Sequence, residues 1–335
     1  MELKERILAC ATVCGVSSKE QSVAHKLMEE LSAMGISSYF DASGNLHSEI
    51  LGNPQGKTIL LEAHMDQIGL MVSGIDENGF LKFVGVGGID ERMLCGLEVL
   101  VDGRYSGVIV PAKKEEKVPK IEDLRMDVGL SFEEAKAQIP IGTTVTMRAC
   151  PKLLLGDKIS GPAMDNRAGI AAVLDCVERI KDKKIPYGIK LLFSVGEELG
   201  LQGGYSGTEP KMADGAIVID VTHGATPDAK DEVGVFPLGC GAVICRGPNL
   251  HYSYTKQLIA LAKEKQIPYE IEVAAGHSGT TAWAIQTVGT GIPTMLVSIP
   301  LRYMHSNLET LALKDVQAVS DLLYEALMGG IALAE

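Results

Sequence analysis

Three apolar runs in this chain end in side chains that can hold a cation or move a proton. Thr58–Ala63 ends in His64-Met65-Asp66, Ile189–Val195 leads through Gly196 to Glu197-Glu198, and Gly215–Ile219 ends in Asp220. Two loop residues join them. Asp165 stands just before a helical pattern, in Gly161-Pro162-Ala163-Met164-Asp165-Asn166-Arg167. His305 follows the apolar run 294–299, in Pro300-Leu301-Arg302-Tyr303-Met304-His305-Ser306. Two imidazoles and several carboxylates suit a pair of divalent ions, each held by one His and one terminal carboxylate, with a further carboxylate shared. Metals about 3.5–4 Å apart can hold a hydroxide between them, lower its pKa and polarise a substrate carbonyl. Adjacent like charges at the end of a buried strand are costly unless a cation holds them. One of Glu197 and Glu198 can therefore ligate while the other serves as general base. Adjacency alone does not decide which.

Each residue taken singly has a plainer role. An Asp at a helix start usually caps it, a lone loop His is more often a surface or core residue than a ligand, and Glu-Glu pairs are usually solvated. Conjunction favours a metal site: several such residues fall at strand ends on one side of one sheet, where open α/β folds bind their ligands.

The elements that must position these residues are legible as periodicity. Residues 2–14 and 18–34 read as amphipathic helices, and Tyr39–Leu51 as a hairpin around Gly44-Asn45. Gly52-Asn53-Pro54-Gln55-Gly56 reads as a turn. From Gly69 to about Ile159 the texture changes to short alternating strands rich in glycine: 70–75, 80–84, 98–101, 107–110 and 143–149. Within that block Lys113–Lys120 reads as a polar loop, and Ser131-Phe132-Glu133-Glu134 as a capping box opening a short helix. The α/β pattern then returns, with a helix over 167–182, strand 189–195 and a Gly-rich segment 200–207. Strand 215–219 follows, then a strand at 240–245, helix 252–265, strand 269–273, a helix around 281–288, strand 294–299 and a last helix 313–328. Strands alternating with helices predict an α/β fold, a mixed sheet covered by helices on both faces. Residues 1–66 and 160–335 form that domain, and 67–159 form an inserted small β-barrel.

With 335 residues, two domains or one with an insertion is the expected size class. A net charge of −12 argues against nucleic acid as the main partner. No apolar run reaches membrane-spanning length, and Met1-Glu2-Leu3-Lys4-Glu5-Arg6 is no signal peptide. Seven scattered cysteines, an odd number, point to a reducing cytoplasm. Cys10 and Cys14, one helical turn apart, read as small core residues rather than a metal pair.

The motifs together resemble the M42 family of metal-dependent aminopeptidases. The matching pieces are Ala63-His64-Met65-Asp66, Asp165-Asn166-Arg167-Ala168-Gly169, Val195-Gly196-Glu197-Glu198-Leu199-Gly200, Asp220-Val221-Thr222 and Ile299-Pro300-Leu301-Arg302-Tyr303-Met304-His305-Ser306. A weaker match is Met126-Asp127-Val128-Gly129. The resemblance implies that His64 and Asp220 bind one metal, that Glu198 and His305 bind the other, and that Asp165 bridges them. Glu197 would be the general base, and Asp66 would fix the imidazole of His64. It implies two divalent ions per subunit (Zn, Co or Mn), peptide substrates cut at the N-terminal residue by attack of a bridging hydroxide, and a PDZ-like insert. It also implies homo-oligomerisation from dimers into a tetrahedral dodecamer. Gln67, Thr281 and Asn307 depart from the family's usual residues without touching the proposed ligands. His277 reads as pocket lining or loop, Trp283 as packing or platform, and Arg302 as a substrate contact or a brace of the ligand loop. The competing classes are an endoglucanase-like glycosidase working through Glu197 and Glu198, and a non-catalytic peptide-binding protein. Low aromatic content, 5%, argues against a glycan platform.

Overall fold

The computed structural model describes residues 1–53, 56–112, 118–227, 229 and 234–333. Helices α1 (Leu3–Ala11) and α2 (Gln21–Ala33) precede strands β1 (Ser38–Phe40), β2 (Leu46–Ile50) and β3 (Thr58–His64). Strands β4 (Gly69–Ile75), β5 (Leu81–Val86), β6 (Glu98–Val101), β7 (Tyr105–Pro111) and β8 (Leu124–Asp127) follow, then α3 (Phe132–Gln138) and β9 (Thr144–Met147). Next come β10 (Lys152–Leu154), β11 (Lys158–Ser160), α4 (Met164–Ile180), β12 (Gly188–Ser194), α5 (Gln202–Ser206) and β13 (Gly215–His223). The chain closes with β14 (Ala242–Arg246), α6 (Tyr252–Glu264), β15 (Tyr269–Val273), α7 (Ala282–Ile285), β16 (Thr294–Leu301), β17 (Thr310–Ala312) and α8 (Leu313–Glu325).

Eight strands form one mixed sheet in the order β1-β2-β12-β3-β13-β16-β14-β15. β12, β3, β13 and β16 run parallel at its centre, while β2 and β14 pair antiparallel to their inner neighbours. The parallel strands are buried almost throughout, as their unbroken apolar runs require. Alternation along each strand sorts side chains to two faces. Ile59, Leu61, Ala63, Ile217, Ile219, Met295 and Val297 pack with α1, α2, α4 and α8. Leu60, Leu192, Ala216, Val218 and Leu296 face Ala282 and Ile285 of α7. His64 and Asp220 belong to this second set by parity, so the site opens on the face that carries less helix.

β4, β5, β8, β7, β6 and β9 close a six-stranded barrel, with β9 returning to pair with β4. It has a separate core that includes Leu70, Val72, Phe83, Val99, Ile109 and Val145. The sequence pattern marks five of these strands. β8 escapes it, because a four-residue strand beside a charged stretch carries too little alternation. The short helix α5 inside the Gly-rich segment escapes for the same reason. Ser131 does cap α3: its Oγ accepts the Glu134 N–H, and the Glu134 carboxylate accepts the Ser131 N–H at 2.9 Å. Pro54 and Gln55 of the expected turn, and residues 113–117 of the expected polar loop, lie outside the described residues. Cys10 is buried in the main core, and all seven cysteines are free thiols.

Candidate metal centre

Register brings the strand ends level. Glu62 of β3 lies opposite Val218 of β13, and two residues further along each strand come His64 and Asp220. His64 Nε2 lies 2.9 Å from Asp165 Oδ1 and 3.7 Å from Asp220 Oδ1. On the other side of Asp165, its Oδ2 lies 3.6 Å from His305 Nε2, which is 3.5 Å from Glu198 Oε2. Asp165 thus turns one oxygen to each group. His64–Asp165–Asp220 and Asp165–Glu198–His305 each have their candidate ligand atoms within 4.8 Å of one another.

Asp165 does not cap α4. Its backbone and that of Asn166 are non-helical, the peptide between them is cis, and its side chain faces His64 instead. Asn166 Nδ2 donates to Ile219 O at 2.7 Å and ties this start of α4 to β13. His305 is held in left-handed backbone at φ +62°. The barrel reaches this side of the site through Gly88, where a Cβ would come within 3.0 Å of His305 Nδ1.

Asp66 does more than face His64. Its carboxylate lies 3.5 Å from His64 Nδ1. It also accepts the backbone N–H of Glu197 at 2.9 Å and of Glu198 at 3.2 Å, and the Ser17 hydroxyl at 2.7 Å. One buried carboxylate therefore anchors the turn that carries both glutamates. Its pKa is lowered: burial acts against the charge, and the hydrogen bonds from His64, Ser17 and Glu197 overcome that.

The field inside the site is strongly negative. Burial first, and then the charges of Asp220, Asp165 and Asp66, push the Glu197 carboxyl up to about 9, against the pull of His64. Burial and Asp165 raise Glu198 well above the carboxylate range, and burial raises Asp220. Burial disfavours a charged imidazole at His64, yet its bonds with Asp165, Asp220 and Asp66 raise its pKa well above the ordinary value. Each shift is that of a group short of positive charge. Glu198 Oε1 is buried with no hydrogen-bond partner among the described residues. An N/O donor set of two imidazoles and three carboxylates, with an orphaned carboxylate oxygen, fits divalent cations.

Three supporting residues were not singled out by sequence. Glu309, 1% exposed, accepts the Asp165 N–H at 3.1 Å through Oε2 and the His305 N–H at 3.0 Å through Oε1. No local pattern marks it. Glu62 is fully buried, accepts from Ser194 Oγ at 2.5 Å and from Thr281 Oγ1, and is pushed by burial up to about 7. Its signal was available: a charge inside an otherwise apolar strand needs buried partners. Thr281 is thus a partner of Glu62. Arg167, fully buried, donates to Met65 O, Cys10 O, Val13 O and Gln67 Oε1, fastening α1 and the segment after His64 to α4. His277 lines the cavity and stacks on Trp283, ring centres 4.4 Å apart. Arg302 Nε donates to Ala225 O at 2.5 Å, so it braces the loop leading to His305.

Glu197, Glu198, Asp165, Asp220 and His305 open into one cavity of about 430 Å³. The profile of the family described as M42 glutamyl aminopeptidase matches residues 44–322. The chain belongs to that family. Its M42 relatives include a provisionally named aminopeptidase of Acetivibrio thermocellus, 33% identical over 94% of this chain and 95% of that one. A lysyl aminopeptidase of Pyrococcus furiosus is 30% identical over 82% of each chain. Among solved structures, an aminopeptidase from the archaeon Desulfurococcus kamchatkensis superposes with a TM-score of 0.91 at 30% identity, covering 98% of this chain and 94% of its own. The Pyrococcus horikoshii TET1 peptidase, described as assembling into a tetrahedron or a large octahedral shell, gives 0.84 at 27% identity over 97% and 99%. A Thermotoga maritima protein named endoglucanase gives 0.78 at 27% identity over 98% and 97%.

Proposed function

We propose that this M42 protein is a dinuclear metal-dependent aminopeptidase. In this reading His64 and Asp220 hold one ion, Glu198 and His305 hold the other, and Asp165 serves both. The observation that carries it is the pair of acid–imidazole triads sharing Asp165 against one cavity. Zn, Co or Mn suits the mixed N/O set. When bound, such ions supply positive charge that activates water and polarises a carbonyl. Glu197, left outside both triads, is the general base: it takes the proton of the attacking water and passes it to the departing amine nitrogen. Positive charge from bound ions would offset the crowd of carboxylates that raises its pKa in their absence, leaving Glu197 ionised to accept that proton. Asp66 keeps the Glu197-Glu198 turn in place through its backbone N–H bonds.

The same reading treats residues 1–66 and 160–335 as the catalytic domain and 67–159 as an inserted, PDZ-like domain that governs assembly and access. It takes the protein as cytoplasmic and as a homo-oligomer built from dimers towards a tetrahedral dodecamer, with peptides as the substrates. Among the described residues no helix is long and apolar enough to cross a membrane.

The test is a metal-reconstituted panel of aminoacyl chromogenic substrates, run beside N-blocked peptides and a soluble glucan. The reading expects hydrolysis of free N-terminal substrates only, abolished by chelation. Cleavage of glucan without any aminoacyl substrate would replace it with the glycosidase reading. A bound peptide left intact would replace it with the binding-protein reading.

A further inference from the structure

The cavity does not stop at the metal centre. Beyond Asp220 its floor is the same face of the sheet, crossing from β13 over β16 towards β15, and Thr222, Ser298 and Glu272 line it. Thr222 lies two residues past Asp220, about 7 Å along the strand. Its hydroxyl donates to Glu272 Oε1 at 2.7 Å, which places the Glu272 carboxylate at the far end of the floor. Among the described residues no lysine or arginine lines the cavity, and none is among the groups that act on Glu272. His223 is the basic group that acts on it, and the Cys245 thiol donates to it. Burial raises the Glu272 pKa, as for a carboxylate lacking a full counter-charge. Independently, Ser298 is 1% exposed, and its Oγ has no hydrogen-bond partner among the described residues. An unpartnered buried hydroxyl and a carboxylate without a lysine or arginine partner, lining one cavity, mark a place where a ligand completes the bonding.

Resting on the aminopeptidase reading, we propose that this end of the cavity receives the side chain of the substrate's N-terminal residue, and that Glu272 selects a basic one. With the substrate's α-amino group at the metal centre, lysine's four-carbon stem reaches along the floor. Its ammonium, or an arginine guanidinium, meets Glu272, while Ser298 Oγ, level with Asp220 on the neighbouring strand, accepts from the substrate's α-amino group. An acidic side chain finds no cation there other than histidine and meets Glu272 as a like charge.

The experiment compares kcat/KM for lysyl, norleucyl and glutamyl anilides on the metal-reconstituted full chain, wild type and Glu272→Gln. Norleucine has the stem without the charge. A charge-assisted bond to a partly buried carboxylate gives a lysyl-to-norleucyl ratio of about tenfold to hundredfold, which Glu272→Gln reduces to about threefold or less, mainly through KM. Glu272→Lys raises the glutamyl-to-norleucyl ratio. Binding supplies a second readout: lysinamide protects the wild type from heat more than norleucinamide does, and Glu272→Gln abolishes the difference. Wild type that prefers norleucyl to lysyl substrate overturns this inference alone, as does a folded Glu272→Gln variant with an unchanged ratio. Hydrolysis of none of the three overturns the aminopeptidase reading and this inference with it.

Discussion

Replacing Asp66 by Asn weakens the contacts that set the positions of both glutamates, together with the one to His64 Nδ1. Oδ1 of Asp66 accepts the Glu197 N–H at 2.9 Å, and Oδ2 accepts the Glu198 N–H at 3.2 Å and the Ser17 hydroxyl at 2.7 Å. Asn keeps one acceptor oxygen and puts an NH₂ where the other stood. One backbone N–H then faces a donor, and the bond that survives loses its charge. Bonds to a charged group contribute about 1.5–3 kcal/mol. Since about 1.4 kcal/mol is tenfold in rate, kcat falls about tenfold to hundredfold if the loss is expressed in the transition state. Ser17→Ala is the control. It removes one hydroxyl bond to the same carboxylate but leaves both backbone N–H groups satisfied, so kcat stays within about threefold. The assay is steady-state hydrolysis of an aminoacyl anilide at saturating metal, with metal content measured on the same samples. Folded, metal-loaded Asp66→Asn with near-wild-type kcat would refute the reasoning. So would a Ser17→Ala loss as large as that of Asp66→Asn.

Glu309→Gln leaves either the Asp165 or the His305 N–H facing an amide donor; metal affinity, read by competition with a chelator, should weaken about tenfold to hundredfold. Unchanged affinity would contradict the role given to Glu309. Stability of the metal-free protein should fall as pH rises from about 5 to about 9. Glu197, Glu198, Asp220 and His64 all have raised folded pKa values, Glu197 at about 9. Through that window the folded state therefore holds protons that the unfolded chain has released. Each such group costs up to about 1.4 kcal/mol per pH unit between its two pKa values. Chemical denaturation of chelated protein at several pH values checks this, and stability that rises over the window would refute it. Metal binding must expel the same protons, so added metal should stabilise more at pH 8 than at pH 6.

What the sequence shows of this site, and what it hides, follows from how each residue is held. His64, Glu197, Glu198 and Asp220 are legible because they break apolar strands at their carboxyl ends, where an α/β sheet concentrates ligands. Asp165 and His305 sit outside the strands, so only their places before a helical pattern and after an apolar run suggest them, and the motif resemblance gives them their roles. Left-handed backbone at His305 and non-helical backbone at Asp165 leave no periodic trace. Glu309 and the backbone bonds of Asp66 are tertiary facts, joining segments far apart in the chain. Glu62 could have been read from its charge within β3. The barrel was visible from its texture, with β8 lost because Leu124–Asp127 is too short to show a period. Ser298 and Glu272 each look ordinary in their strands, and only sheet order sets them on the floor of one cavity.

The division of labour between the two glutamates is the central claim, and Glu197→Gln tests it most directly. The variant should retain the wild type's metal content, measured by elemental mass spectrometry, because Glu197 lies outside both triads. Its kcat should fall by about 10²–10⁴, the usual contribution of a positioned general base. Metal content halved in Glu197→Gln, or turnover close to that of wild type with metal intact, would contradict the account.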